Sequence, residues 1–226
     1  SGGGGVVTTD PTVLIPSISL SRELMVVDSG GTKTTKGITV TVANADIETF
    51  SITDDGSLGL TGDNFNLADG VLSLKDNFAA LTDNTEKTLT LTVNYKKKAD
   101  AGEDTTLSKN TDTKTFKIVK AEKLNDTKLT PLVQDIATSL IIEQKESIFN
   151  FSKYEGVIYT FSNGSSDDAF DYDAVEVVTR MRTRLSRKST AGYFTDVIYN
   201  EDVRDAGNSS ISFTFTLVLT DKYEMD

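Results

Sequence analysis

The sequence predicts an all-β protein, and three observations carry that prediction. Short stretches with a two-residue hydrophobic period recur along the 226 residues, turn residues separate them, and Thr or Ser fills the alternate positions. Gly37-Ile38-Thr39-Val40-Thr41-Val42 is the clearest case, with Ile38, Val40 and Val42 facing inward and the Thr residues outward. The same pattern places Leu89, Leu91, Val93 and Tyr95 on one face of Thr88 to Tyr95. It also places Ile211, Phe213, Phe215, Leu217 and Leu219 on one face of Ile211 to Thr220.

In chain order, residues 1–11 form a Gly-rich arm in which Val6 to Thr9 reads as extended. Strands follow at Val13 to Leu20, Leu24 to Val27, Gly37 to Val42 and Ile47 to Thr53, the last closed by Asp54-Asp55-Gly56. Val71 to Leu74 follows the turn pair Asp69-Gly70, and Asn77 to Leu81 reads as one helical turn. A polar loop, Lys96 to Asp112, separates the Thr88 to Tyr95 strand from Thr113 to Val119. About seven short strands in roughly 110 residues is the pattern of an immunoglobulin-like sandwich, here spanning residues 12–121.

Glu122 to Thr130 is charged and aperiodic and reads as a linker. Thr130-Pro131 then fits a helix start, with Pro at the first helical position and Leu132, Val133, Ile136 and Leu140 following. The β-branched pair Ile141-Ile142 permits a strand instead, so both readings stand. Val157 to Ser162 runs into the hairpin signal Asn163-Gly164. Ala174 to Ser186, Gly192 to Tyr199 and Ile211 to Thr220 complete a second antiparallel β domain, residues 122–226, with at most a short helix.

Composition narrows the chemistry. The chain has no Cys and no His, which removes disulfides, thiolate nucleophiles, the common zinc ligands and the commonest general base. No catalytic residue, cofactor or metal is expected, and any catalysis would have to run on carboxylates, Lys, Tyr, Ser or Thr. The net charge of −11 argues against a nucleic-acid partner, which would demand a basic footprint. No apolar run approaches the length of a membrane span. Ser1 to Gly5 has neither a basic nor an apolar segment, so no signal peptide is read there.

Two features are candidate subunit contacts. Read as a strand, Val175 to Leu185 places Arg180, Arg182 and Arg184 on one face and Met181, Thr183 and Leu185 on the other, with Arg187 and Lys188 extending the basic patch. Arg forks suit carboxylate or phosphate, which points first to an acidic neighbouring subunit and second to DNA; the plainer alternative is a solvated face with cross-strand ion pairs. The arm is the second feature: Val6, Val7, Thr8 and Thr9 could add as a strand to a neighbour's sheet, the alternative being an unattached tail.

The remaining motifs read as ordinary surface or core. Asp167-Asp168-Ala169-Phe170-Asp171-Tyr172-Asp173 lacks calcium-loop spacing and reads as an acidic loop. Phe149, Phe151, Tyr154, Tyr159 and Phe161 read as core before they read as a sugar platform, and Lys96-Lys97-Lys98 reads as a solvated turn. Asn125, Asn150, Asn163 and Asn208 head glycosylation sequons, which are given no weight in so Asn/Ser/Thr-rich a chain.

Residues 12–121 resemble the immunoglobulin-like modules of Bacteroidota surface proteins and of their tailed phages. Pro16-Ser17-Ile18-Ser19-Leu20, Thr35 to Val42, Asn64-Phe65-Asn66-Leu67 before Val71 to Leu74, Leu89 to Tyr95 and Thr115 to Val119 carry the resemblance. Cadherin-type calcium motifs are not evident around Gly70 to Leu74. The resemblance implies a non-enzymatic virion protein, made in the host cytoplasm, acting as a head auxiliary, decoration or fibre-attachment component. It would assemble as an oligomer with capsid, tail or fibre subunits, without membrane or specific nucleic acid. The alternative it leaves is a mature bacterial cell-surface module for adhesion or glycan binding.

Overall fold

The structure is a computed structural model. It describes residues 10–226 apart from 30–32, 57, 76–80, 139–140, 143–144, 147–149, 156, 164–172, 187–191, 206 and 208–209. The chain divides into two compact units, Ser1–Ala121 and Glu122–Asp226.

The first unit contains β1 (Thr12–Leu14), β2 (Ser17–Leu20), β3 (Leu24–Val27), β4 (Thr34–Lys36), β5 (Ile38–Ala43) and β6 (Asp46–Thr53). These are followed by β7 (Phe65–Ala68), β8 (Val71–Leu74), β9 (Lys87–Lys96), β10 (Thr105–Leu107) and β11 (Thr111–Lys120). One sheet has the order β2-β5-β8-β7 and the other β4-β3-β11-β9-β6. Lettering β2, β5, β6, β7, β8, β9 and β11 as A to G gives A-B-E-D facing G-F-C, the strand order of an immunoglobulin-type sandwich. Strand β3 lies parallel to β11, Leu24 opposite Lys117.

The alternating residues read from the sequence supply the core between these sheets. Ile38, Val40 and Leu72 enter from one sheet, Leu89, Leu91 and Val93 from the other, and all are buried. The rings of Phe65 (β7) and Phe116 (β11) meet edge to face at 6.2 Å and tie the two sheets together. Asp69 and Gly70 both adopt positive φ, 53° and 78°, in the two-residue turn from β7 to β8. A primed hairpin turn requires that backbone, which is why Asp-Gly sits there.

Two local expectations change, and a third lies almost wholly outside the described residues. Pro16 lacks the N–H that a continuous strand from Val13 to Leu20 would use, and the chain breaks there into β1 and β2. The polar loop from Lys96 to Asp112 contains β10, which pairs in parallel with β1 in the register Thr12 to Thr105. Of the helical turn expected over Asn77 to Leu81, only Leu81 lies within the described residues, and it is buried.

The second unit contains α1 (Asp126–Thr138), β12 (Ile141–Ile142), β13 (Lys145–Glu146), β14 (Asn150–Glu155) and β15 (Ile158–Asn163), then α2 (Ala174–Leu185), β16 (Phe194–Asp205) and β17 (Ser210–Leu219). Its main sheet is antiparallel with the order β14-β15-β17-β16, α1 packs by β14, and α2 packs by β16. Ile211, Phe213, Phe215 and Leu217 of β17 are all buried, as their alternation predicts.

Residues 122–130 are not a free linker. Leu124 is fully buried and bridges to Met225, with backbone bonds Leu124 N to Glu224 O and Asp226 N to Leu124 O, each 2.8 Å. Helix α1 starts one turn earlier than Thr130-Pro131 suggests. Asn125 Oδ1 accepts the Lys128 N–H at 3.0 Å, so Asn125 caps the first turn. Pro131 therefore sits inside the helix, where it cannot bond the Thr127 carbonyl. The helix persists because Leu129, Val133 and Ile136, at i, i+4 and i+7, bury one face.

Candidate interaction surface

The Arg ridge is where structure and sequence reading part most sharply. Ala174 to Ser186 is not a strand: residues 174–185 form α2. Asp173 caps it, its Oδ1 accepting the Val175 N–H at 2.8 Å. Val177, Val178, Met181 and Leu185 are buried, the i, i+1, i+4, i+8 pattern of a helix and not of a strand. On a helix Arg180 and Arg184 stand about 40° apart, and Arg182 points about 160° from each. The three guanidinium groups therefore do not share a face. Arg180 lies 3.8 Å from Glu176 one turn back, an exposed pair of small energetic weight. Arg182 binds across to β16 at the surface: Nε donates to Asp196 Oδ1 at 2.9 Å and Nη2 to the Val197 carbonyl at 3.1 Å. It fastens α2 to β16.

The second candidate contact, Val6, Val7, Thr8 and Thr9, lies outside the described residues. So do Arg187 and Lys188, and the acidic run except Asp173, whose part is the helix cap. Of the aromatic set, Tyr159 is buried at 1% exposure, and burial pushes its hydroxyl up to about 12. It belongs to the core. Phe149 lies outside the described residues.

The carboxylates with shifted behaviour are each explained by local hydrogen bonds. Lys109 donates to Asp112 Oδ1 at 3.0 Å, and the Tyr95 hydroxyl donates to Oδ2 at 2.7 Å. Those two hydrogen bonds hold the Asp112 carboxyl below the usual range, while burial first, and Asp112 second, push Tyr95 up. The trio pins the hairpin from β9 to β11. On β16 the Tyr199 hydroxyl and Arg204 both donate to Asp202 and lower it, and Tyr199 itself rises to about 12, chiefly through burial. The N–H of Val197 and the Arg182 side chain lower Asp196. Among the described residues no group of three or more His, Cys, Asp or Glu could hold a metal ion. No helix among them is long and apolar enough to cross a membrane.

A consequence for pH follows from Asp112. Its folded-state pKa is depressed, so its contribution is present above the ordinary carboxylate value of about 4 and fades as pH falls through the folded value. Asp112→Asn should flatten the acid limb of the first unit's stability below about pH 4, at a neutral-pH cost under about 1 kcal/mol. Urea melts at stepped pH check it.

Besides Val175 on α2, which is 73% exposed, the surface presents apolar side chains on sheet edges. Val13 is 61% and Ile15 67% exposed on and beside β1, while Ile198 is 50% and Val203 58% exposed on β16. Strand β16 is the last in its sheet, 12 residues long, and no strand among the described residues pairs with its outer side. In the first unit a groove of about 600 Å³ opens between β6, itself a sheet edge, and the β5 and β7 side of the sandwich. Val40, Val42, Phe50 and Leu67 line it together with Glu48 and Lys98. Edge position is non-local, so no sequence signal marks β16 as an edge, and the strand expected over Gly192 to Tyr199 runs on to Asp205.

No protein-family model and no curated protein matches this chain.

Proposed function

We propose that this chain is a non-enzymatic structural component of a tailed-phage virion, a head auxiliary, decoration or fibre-attachment protein that works through contacts with capsid, tail or fibre subunits. The observation that carries the assembly part is the placement of exposed β-branched residues at sheet edges that no strand among the described residues covers, Val13 and Ile15 in one unit and Ile198 and Val203 in the other. Edges of this kind are normally blunted, and leaving apolar side chains there suits strand addition by a neighbour. The virion setting is supported by the resemblance of residues 12–121 together with the immunoglobulin-type strand order of that segment. The shifted carboxylates support a structural role, since each is occupied by a Lys, Arg or Tyr that holds a hairpin, a helix or the bulged strand β16 in place.

The test uses particles from a phage in which the gene is deleted. Purified full-length chain added to such particles should sediment with them. A chain lacking residues 1–9 should bind at least tenfold more weakly, because the arm is read as one of the contacts. A full-length chain that stays in the supernatant contradicts the proposal, and recovery in a bacterial envelope fraction would favour the cell-surface alternative.

A further inference from the structure

We infer that residues 6–9 of the arm dock in the groove beside β6 of their own unit, adding antiparallel to the open stretch of that strand. The inference goes beyond the virion reading and does not depend on it.

The groove is a gap between two sheet edges. Strand β6 is last in one sheet of the sandwich and β7 is last in the other. Val42, Ile47, Phe50 and Leu67 line the gap and are only partly buried against the core. One more strand with its inner side chains on this floor would close the flank.

The backbone of β6 offers the bonds for it. Tyr95 lies opposite Ile47 and donates its N–H to the Asn110 carbonyl, on the β11 side. Tyr95 and Ile47 are therefore a non-hydrogen-bonded pair, and the N–H and C=O of Ile47 turn outward. No hydrogen bond among the described residues takes them up. The open stretch is short. Gly62 packs against Ser51 and the Phe50 carbonyl, where a Cβ would sit 3.4 Å from Ser51 Cα, and so covers the edge beyond Thr49. What remains, Asp46 to Thr49, matches a four-residue strand.

Position, reach and charge name the occupant. The Thr12 N–H donates to the Asp104 carbonyl at 3.1 Å, so the arm starts on the loop that also supplies Lys98 to the groove. Residues 1–9 lie outside the described residues. Nine extended residues reach about 30 Å, about three times the span from Asp46 to Thr49. An arm entering from the Lys98 end runs antiparallel to β6. Val6, Val7, Thr8 and Thr9 are all β-branched, and either phase of the strand sets one Val and one Thr on the apolar floor. Asp46 and Glu48 disfavour an acidic occupant, and residues 6–9 carry no charge. Asp10 then falls at the Lys98 end, and neither of the two has an ion-pair partner among the described residues. Docked in this way the arm becomes the sixth strand of a five-stranded sheet, and it presents the edge that a neighbour would contact.

Amide hydrogen exchange of the full-length chain, compared with a chain lacking residues 1–9, tests this directly. The Ile47 amide should exchange at least tenfold more slowly in the full-length chain. The Leu91 and Phe116 amides, on inner strands, should exchange alike in both and so report an intact sandwich. Lys98→Glu should speed Ile47 exchange about threefold, and adding Asp10→Lys should restore it. An Ile47 amide that exchanges equally with and without residues 1–9 would overturn the inference. So would protection that falls on dilution, because the arm would then come from another copy. A chain that shows the protection yet never joins particles loses only the virion reading.

Discussion

Val178→Lys should destabilise the second unit by about 3 kcal/mol or more, while Thr183→Lys should change it by about 0.5 kcal/mol or less. The pair of substitutions separates the helix from the strand that the sequence suggests. On a strand Val178 would share the solvent face with Arg180, Arg182 and Arg184, and Thr183 would point inward beside Met181. In α2 the roles invert: Val178 is 7% exposed and is buried as Val177, Met181 and Leu185 are, while Thr183 is exposed and donates to the Thr179 carbonyl. A Lys at 178 would bury an ammonium among apolar groups without a counter-charge, one of the few routes to so large an effect. Urea melts followed by hydrogen exchange at the β17 amides would read both variants. Equal tolerance of the two would contradict the helix.

Phe116→Ala should cost the first unit about 3–5 kcal/mol. Phe116 is 1% exposed and reaches from β11 across the sandwich to Phe65 of β7, so truncation opens a cavity at the junction of the sheets and removes an aromatic pair. Its neighbour Thr115 lies on the outer face of β11 and is exposed, so Thr115→Ala should stay within about 0.5 kcal/mol. Such a contrast between adjacent residues follows from the two-residue period of a strand. Denaturant midpoints at constant slope would measure both costs.

How far the fold was legible depends on where each signal resides. Strands β5, β9 and β17 could be read directly, because a half-buried strand writes its inner and outer faces into alternate residues. Helix α2 could not, and the reason is local: Val175, Val177, Val178, Thr179 and Thr183 favour strands, and Arg180, Arg182 and Arg184 happen to repeat every second residue. The helical signal was present but weaker, in Asp173 at the cap and in the spacing of Val177, Val178, Met181 and Leu185. The same competition hid the Asn125 cap behind Thr130-Pro131. Pairings set by distant contacts, β1 with β10 and β3 with β11, carry no local signature.

The site followed the same rule. The Arg residues were visible as a group, but their grouping depended on the wrong period, and the helix disperses them. Asp196, which takes the Arg182 guanidinium, was not singled out because a cross-element ion pair has no spacing in sequence. The edge position of β16 became visible only with the strand order, and it relocates the search for subunit contacts in the second unit from the Arg residues to Ile198 and Val203.

We propose that the chain is a stoichiometric part of a virus particle. Quantitative mass spectrometry of purified virions tests it most directly. The chain should be present at a fixed ratio to the major capsid protein, retained through gradient purification and high-salt washing. Its absence from washed particles, with recovery instead in the host cell envelope, would contradict it.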